Sequence, residues 1–158
     1  RNSTGSVLVR LPASARITRN TARITGGGIT PITISETIAA ESTPILNITK
    51  SVSPVPVTEN GILTYTFLIQ NMGSAPAAVT TGATITDTFN PILSGLTVTF
   101  NGTAWTAPTN YTYNETTGLF ATAAGQITVP AATFTQDPET GAWVTTPGVS
   151  TLVVTGTI

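Results

Sequence analysis

Residues 64-TYTFLIQN-71 alternate with a period of two. Tyr65, Phe67 and Ile69 fall on one side of that alternation, Thr64 and Thr66 on the other. Successive side chains of a strand point to opposite faces, so the stretch predicts a strand with one face in a core. The same pattern recurs downstream. Leu96, Val98 and Phe100 alternate with threonines in 94-SGLTVTFNG-102, and Ile85 and Phe89 do so in 83-ATITDTF-89. Leu152, Val154 and Ile158 share a face in 150-STLVVTGTI-158. Helix formers are scarce, whereas threonine exceeds one residue in five and Val and Ile are common. Repeated period-two runs of β-branched residues predict an all-β antiparallel sandwich or barrel.

Breaks in the pattern carry turn chemistry. Asn60-Gly61, Asn71-Met72-Gly73 and Asn101-Gly102 read as hairpin-type turns. Two further segments, 111-YTYNETTGLF-120 and 134-FTQDPETGAW-143, resemble each other. Each has an aromatic, an acidic turn ending in Thr-Gly, then an apolar and an aromatic residue. They predict two hairpins with similar turns; a solenoid needs more copies.

The first 44 residues differ from the rest. All five arginines (Arg1, Arg10, Arg16, Arg19 and Arg23) lie there, and Lys50 is the only later base. The seven acids begin at Glu36, so a basic leader precedes an acidic body. Gly26-Gly27-Gly28 interrupts the leader and reads as a hinge. The expected organisation is a basic, β-prone arm over 1–44, a candidate donor strand, and a sandwich over 45–158. The plainer alternative makes the leader the first strands of the same sandwich.

Composition excludes several functions. The 158 residues include no Cys and no His, and only 8% are charged. Thiol chemistry, imidazole bases and the usual zinc sites are therefore excluded. No apolar run approaches the roughly 20 residues that span a membrane. Gly26-Gly27-Gly28 precedes no helix and is no phosphate loop. The acidic body, with arginines not interleaved with aromatics, argues against nucleic acid as partner. Asp137, Glu139 and Glu115 read as solvated turn acids rather than a cation site. No general acid–base pair is identifiable, so no enzyme activity, cofactor or metal is expected. The chain begins at Arg1 without an initiator Met and reads as a processed product or a fragment.

Over 45-ILNITKSVSPVPVTENGILTYTFLIQNMGSAPA-77 the chain resembles a bacterial surface family, the conserved repeat domain of unknown function that is eleventh in its series. Thr49-Lys50, Pro54, Pro56, Gly61, Tyr65-Thr66, Asn71, Gly73, Asp87-Thr88 and Leu96 carry the resemblance. It covers 45–100 well and 101–158 loosely, and the first 44 residues fall outside it. It implies an immunoglobulin-like sandwich outside a prokaryotic cell, and no activity.

Lys50, Asn71 and Asp87 share parity with apolar neighbours on three strands, so all three are expected to point inward. A buried charge needs a partner. Two arrangements answer this. In one, the Lys50 amine attacks the Asn71 carboxamide, with Asp87 shuttling protons, and an isopeptide bond forms. In the other, Lys50 and Asp87 form a non-covalent pair while Asn71 holds a turn. Asn2, Asn47, Asn101, Asn110 and Asn114 each head a glycosylation sequon.

The expected function is that of a structural subunit of an extracellular filament, polymerising head-to-tail with identical subunits. Its leader would donate a strand to the neighbour, with Val7, Val9 and Leu11 filling the groove and Arg10, Arg16, Arg19 and Arg23 fixing register. Such a contact does not close on itself and makes fibres. The competing expectation is a stalk or adhesin module of a larger surface protein. A third is a module that binds a surface glycan or host ligand through Trp105, Tyr111, Tyr113 or Trp143.

Overall fold

The computed structural model describes residues 17–39 and 42–158. Its elements are strands joined by turns, apart from one 3₁₀ turn at Val79–Thr81. Every strand pairing is antiparallel. The chain divides into two compact units, 1–42 and 43–158.

In the first unit, β1 (Ile17–Gly26) pairs with β2 (Ile29–Ala39) as a two-stranded hairpin. The glycine triplet is the turn of that hairpin rather than a hinge. Gly27 and Gly28 have φ of 52° and 82°, which suits residues without a Cβ. Residues 17–39 therefore pair with themselves. The donor residues Val7, Val9, Arg10, Leu11 and Arg16, and the sequon at Asn2, lie outside the described residues.

The body starts with β3 (Leu46–Ser53) and β4 (Ile62–Asn71). After the 3₁₀ turn come β5 (Thr86–Thr88), β6 (Ser94–Phe100) and β7 (Thr103–Trp105). Then follow β8 (Tyr111–Asn114), β9 (Leu119–Thr122), β10 (Thr133–Gln136), β11 (Trp143–Thr146) and β12 (Gly148–Thr157). One sheet has the order β3-β4-β12-β6-β7, a second has β5-β9-β8, and β10-β11 is a separate hairpin.

Alternation explains the core. Leu63, Tyr65, Phe67 and Ile69 of β4, Val98 and Phe100 of β6, and Leu152 and Val154 of β12 are all buried. They form one cluster with Tyr111 and Phe120 of the smaller sheet and with Ile85, Phe89, Leu93, Ile127 and Val129. Phe89 is the hinge-pin of this cluster: its ring stacks on Tyr65 at 4.7 Å and meets Phe120 at 5.6 Å and Tyr113 at 6.0 Å. Burying side chains of this size stabilises the fold by roughly 1.5–3 kcal/mol each.

The turns divide. Asn101-Gly102, with φ of 47° and 79°, closes the β6–β7 hairpin as a two-residue turn. Asn71-Met72-Gly73 is no hairpin turn. It ends β4 and sends the chain toward the second sheet, because the Asn71 side chain ties the backbone down there.

Candidate functional site

β3 is the edge strand of the larger sheet, and every one of its residues is exposed. Leu46, Ile48, Lys50 and Val52 have the parity that faces the core, and Asn47, Thr49, Ser51 and Ser53 are polar. The larger sheet has five strands and the smaller three, β5 has only three residues, and the β3 flank is left uncovered. Ile48 and Leu46 remain 48% and 41% exposed. Beneath them runs an apolar groove of roughly 190 Å³, bounded by Leu46, Ile48, Ile69, Ala83, Ile85 and Ile127. It lies between β3 and the residues leading into β5, the edge strands of the two sheets.

Farther along the same flank Lys50 reaches Asp87. The Lys50 ammonium contacts Asp87 Oδ2 directly. The Lys50 nitrogen also lies 4.5 Å from the Tyr65 ring centroid, 5.5 Å from Phe89 and 5.7 Å from Phe67. Asp87 Oδ2 is buried and accepts no hydrogen bond, so the Lys50 nitrogen is the partner it has. Oδ1 accepts from the Thr88 N–H at 2.9 Å.

Asn71 is not part of this pair. It faces Leu46 in the β3–β4 register, whereas Lys50 faces Phe67, four residues away. At about 3.3 Å per residue the strand puts them on the order of 13 Å apart. Asn71 is fully buried, and all its polar valences are used. Its Oδ1 accepts from the Ile45 and Gly73 N–H groups, each at 2.9 Å. Its Nδ2 donates to the carbonyls of Ala75 at 2.7 Å and Pro130 at 2.9 Å. An isopeptide bond between Lys50 and Asn71 does not fit this arrangement. Shared parity could not show it, because the separation depends on the β3–β4 register.

Of the arm residues, Arg19 lies on β1, and Arg23 is exposed. The hairpin presents an apolar face that sequence reading passed over. Ile24 pairs with Ile32 and Ala22 with Ile34, and the three isoleucines are 57–67% exposed. The sequons separate as well. Nδ2 of Asn101 bonds Ser150, and Nδ2 of Asn110 bonds Gln126. Asn47 and Asn114 are exposed, and no hydrogen bond from their Nδ2 atoms occurs among the described residues.

The four aromatics do not form an exposed platform. Tyr111 is buried, and burial pushes its phenol pKa up. Trp105 stacks on Phe100 at 4.8 Å, and the Tyr113 hydroxyl both accepts from the Leu93 N–H and donates to its carbonyl. Trp143 is half-buried on β11. Among the described residues no group of three or more Cys, His, Asp or Glu could hold a metal ion, and no helix is long and apolar enough to cross a membrane. No protein-family model, curated protein or solved structure matches the chain.

Proposed function

We propose that the chain is a structural subunit of an extracellular prokaryotic filament, its body an immunoglobulin-like β-sandwich that accepts a strand from the neighbouring subunit. The uncovered β3 flank carries this reading. An apolar groove beside the edge strand β3 offers unpaired backbone N–H and C=O groups together with an apolar surface for side chains. The donor is residues 6–12 of the next subunit, where Val7, Val9 and Leu11 alternate. The β1–β2 hairpin supports assembly from a second side. An isolated two-stranded hairpin is marginal in water, and this one exposes Ile24, Ile32 and Ile34 on one face. Arg23, and the other arginines of the leader, then meet acids of the neighbour and set register rather than strength. The stalk reading of the same body needs neither the groove nor the leader.

Electron microscopy of the full chain, refolded from denaturant at one concentration with and without a peptide of residues 1–16, tests this. Strand donation expects fibres that shorten as the peptide caps the groove. A chain that stays monomeric and leaves the peptide unbound overturns it in favour of the stalk. A second arm uses Val9→Asp, which places a charge at the centre of the donated face and is expected to abolish fibres.

A further inference from the structure

We propose that Lys50 and Asp87 are joined by an amide bond between Lys50 Nζ and Asp87 Cγ, a covalent staple that closes the open flank of the body. The two side chains come from the edge strands of the two sheets, β3 and β5, and they already touch.

Three observations point to a bond rather than to an ion pair alone. First, Asp87 Oδ2 is buried and, among the described residues, meets no donor besides the Lys50 nitrogen, whereas buried carboxylates ordinarily collect several. Second, the Lys50 nitrogen is surrounded by the rings of Tyr65, Phe67 and Phe89. An ammonium has three protons to place, and beside Asp87 this cradle offers the aromatic faces of Tyr65, Phe67 and Phe89. An amide nitrogen keeps one proton, which a ring face accommodates. Third, a carboxylate oxygen shut off from water, as Asp87 Oδ2 is, carries a desolvation cost that one attraction repays only with good additional hydrogen bonding. Condensation removes both charges.

The chemistry balances within the pair. The ammonium passes one proton to the carboxylate, giving a neutral amine and a neutral acid. The nitrogen lone pair attacks Cγ, the C–N bond forms, and the C–OH bond breaks. The departing hydroxyl takes a second proton from nitrogen and leaves as water. Amide formation is unfavourable between free solutes in water. Groups held in contact by a fold reach effective molarities of about 10⁵–10⁸ M, which offsets that. The staple sits beside the groove rather than in it: Lys50 and Asp87 do not line it. The inference is thus independent of strand donation.

The sequence makes the test clean. Lys50 is the only lysine, and no arginine follows Arg23. Full-length protein from a host that does not glycosylate it is unfolded and its intact mass measured. The expected mass is one water below that of the sequence. Trypsin, which cuts after free lysine and arginine, is expected to leave 24–158 uncut at Lys50. Lys50→Arg is expected to restore the full mass and to be cut at that position, and Asp87→Ala to restore the full mass and cleavage after Lys50. Full sequence mass with complete cleavage after Lys50 overturns the proposal, leaving a plain ion pair. Loss of ammonia from the wild-type chain overturns it too, because it moves the link to an asparagine.

Discussion

Strands β3 and β4 lie side by side and are written in the same alternation, yet one is exposed along its whole length and the other is buried at every second residue. Ile48 and Ile69 face each other across the ladder. Ile69 is 3% exposed and Ile48 is 48% exposed. Both point the same way, and both belong to period-two runs. The difference lies in what stands opposite. β4 lies over the core built by Phe89, Phe120 and the segment carrying Ile127 and Val129. β3 overhangs the three-residue strand β5. Alternation thus fixes which way a side chain points, and the width of the opposing sheet fixes whether it is covered.

Asn71→Ala breaks the comparison at its strongest point. Asn71 ends β4 and anchors the start of β3 through the Ile45 N–H. The substitution leaves two N–H groups and two carbonyls without their partner. An orphaned buried group costs about 1–3 kcal/mol, and part of that is recovered where water enters. The expected loss is about 4 kcal/mol by denaturant unfolding, with β3 detaching before β4 in hydrogen exchange. A loss near zero would show that β3 is held by its ladder alone. Ile69→Ala comes next. Truncating a buried isoleucine costs about 2–5 kcal/mol, and Ile69, buried but bordering the open groove, belongs toward the lower end.

Much of this was legible in the sequence, for a physical reason. Every residue of 64-TYTFLIQN-71 and 150-STLVVTGTI-158 alternates because both strands are covered on one face and half-covered on the other. The twin segments at 111–120 and 134–143 are both hairpins, because Asn114 and Asp137 cap the same turn. Asn101-Gly102 is a hairpin turn because both residues tolerate positive φ. The misreadings share a cause. Gly26-Gly27-Gly28 and Asn71-Met72-Gly73 contain the right residues for a change of direction, but composition does not say what the chain pairs with afterwards. Of the two arrangements open to Lys50, Asn71 and Asp87, the Lys50–Asp87 pair with Asn71 holding a turn is the one present, and shared parity could not choose between them because it carries no distance along the strand. The groove at β3 was illegible for the same reason: it depends on how many strands the opposite sheet has.

Ile48→Ala is the counterpart of Ile69→Ala and the smaller change. In the isolated body Ile48 has little burial to lose, so the expected cost is about 0.5 kcal/mol or less. In fibres the same substitution is expected to cost several-fold more, because the donated strand would cover Ile48. Comparing unfolding midpoints of monomer and fibre for both variants checks it. Equal effects of Ile48→Ala in the two states would mean the β3 flank stays open in the assembly.

The twin turns sharpen the comparison at its smallest scale, since their capping side chains differ by one functional group. Asn114 Oδ1 accepts from the N–H groups of Thr116 at 2.9 Å and Thr117 at 3.1 Å. Asp137 Oδ1 accepts from Glu139 at 2.8 Å and Thr140 at 3.0 Å. Gly118 and Gly141 then close the loops with φ of 74° and 70°. The Thr140 and Glu139 amides hold the Asp137 carboxyl below its usual range, because they bond its charged form. A carboxyl whose pKa is lower in the folded state stabilises fully above its unfolded value. That contribution fades as pH falls through the lowered one. Acidification is therefore expected to loosen the turn at 137–141 and leave the turn at 114–118 unchanged, because an amide does not titrate. The readout is the amide resonances of Glu139 and Thr140 against those of Thr116 and Thr117 across an acid titration. Asp137→Asn is expected to make the two turns respond alike. If both turns titrate in the wild-type chain, the sensitivity belongs to the body's core rather than to the cap. In that case the matched turns are equivalent after all.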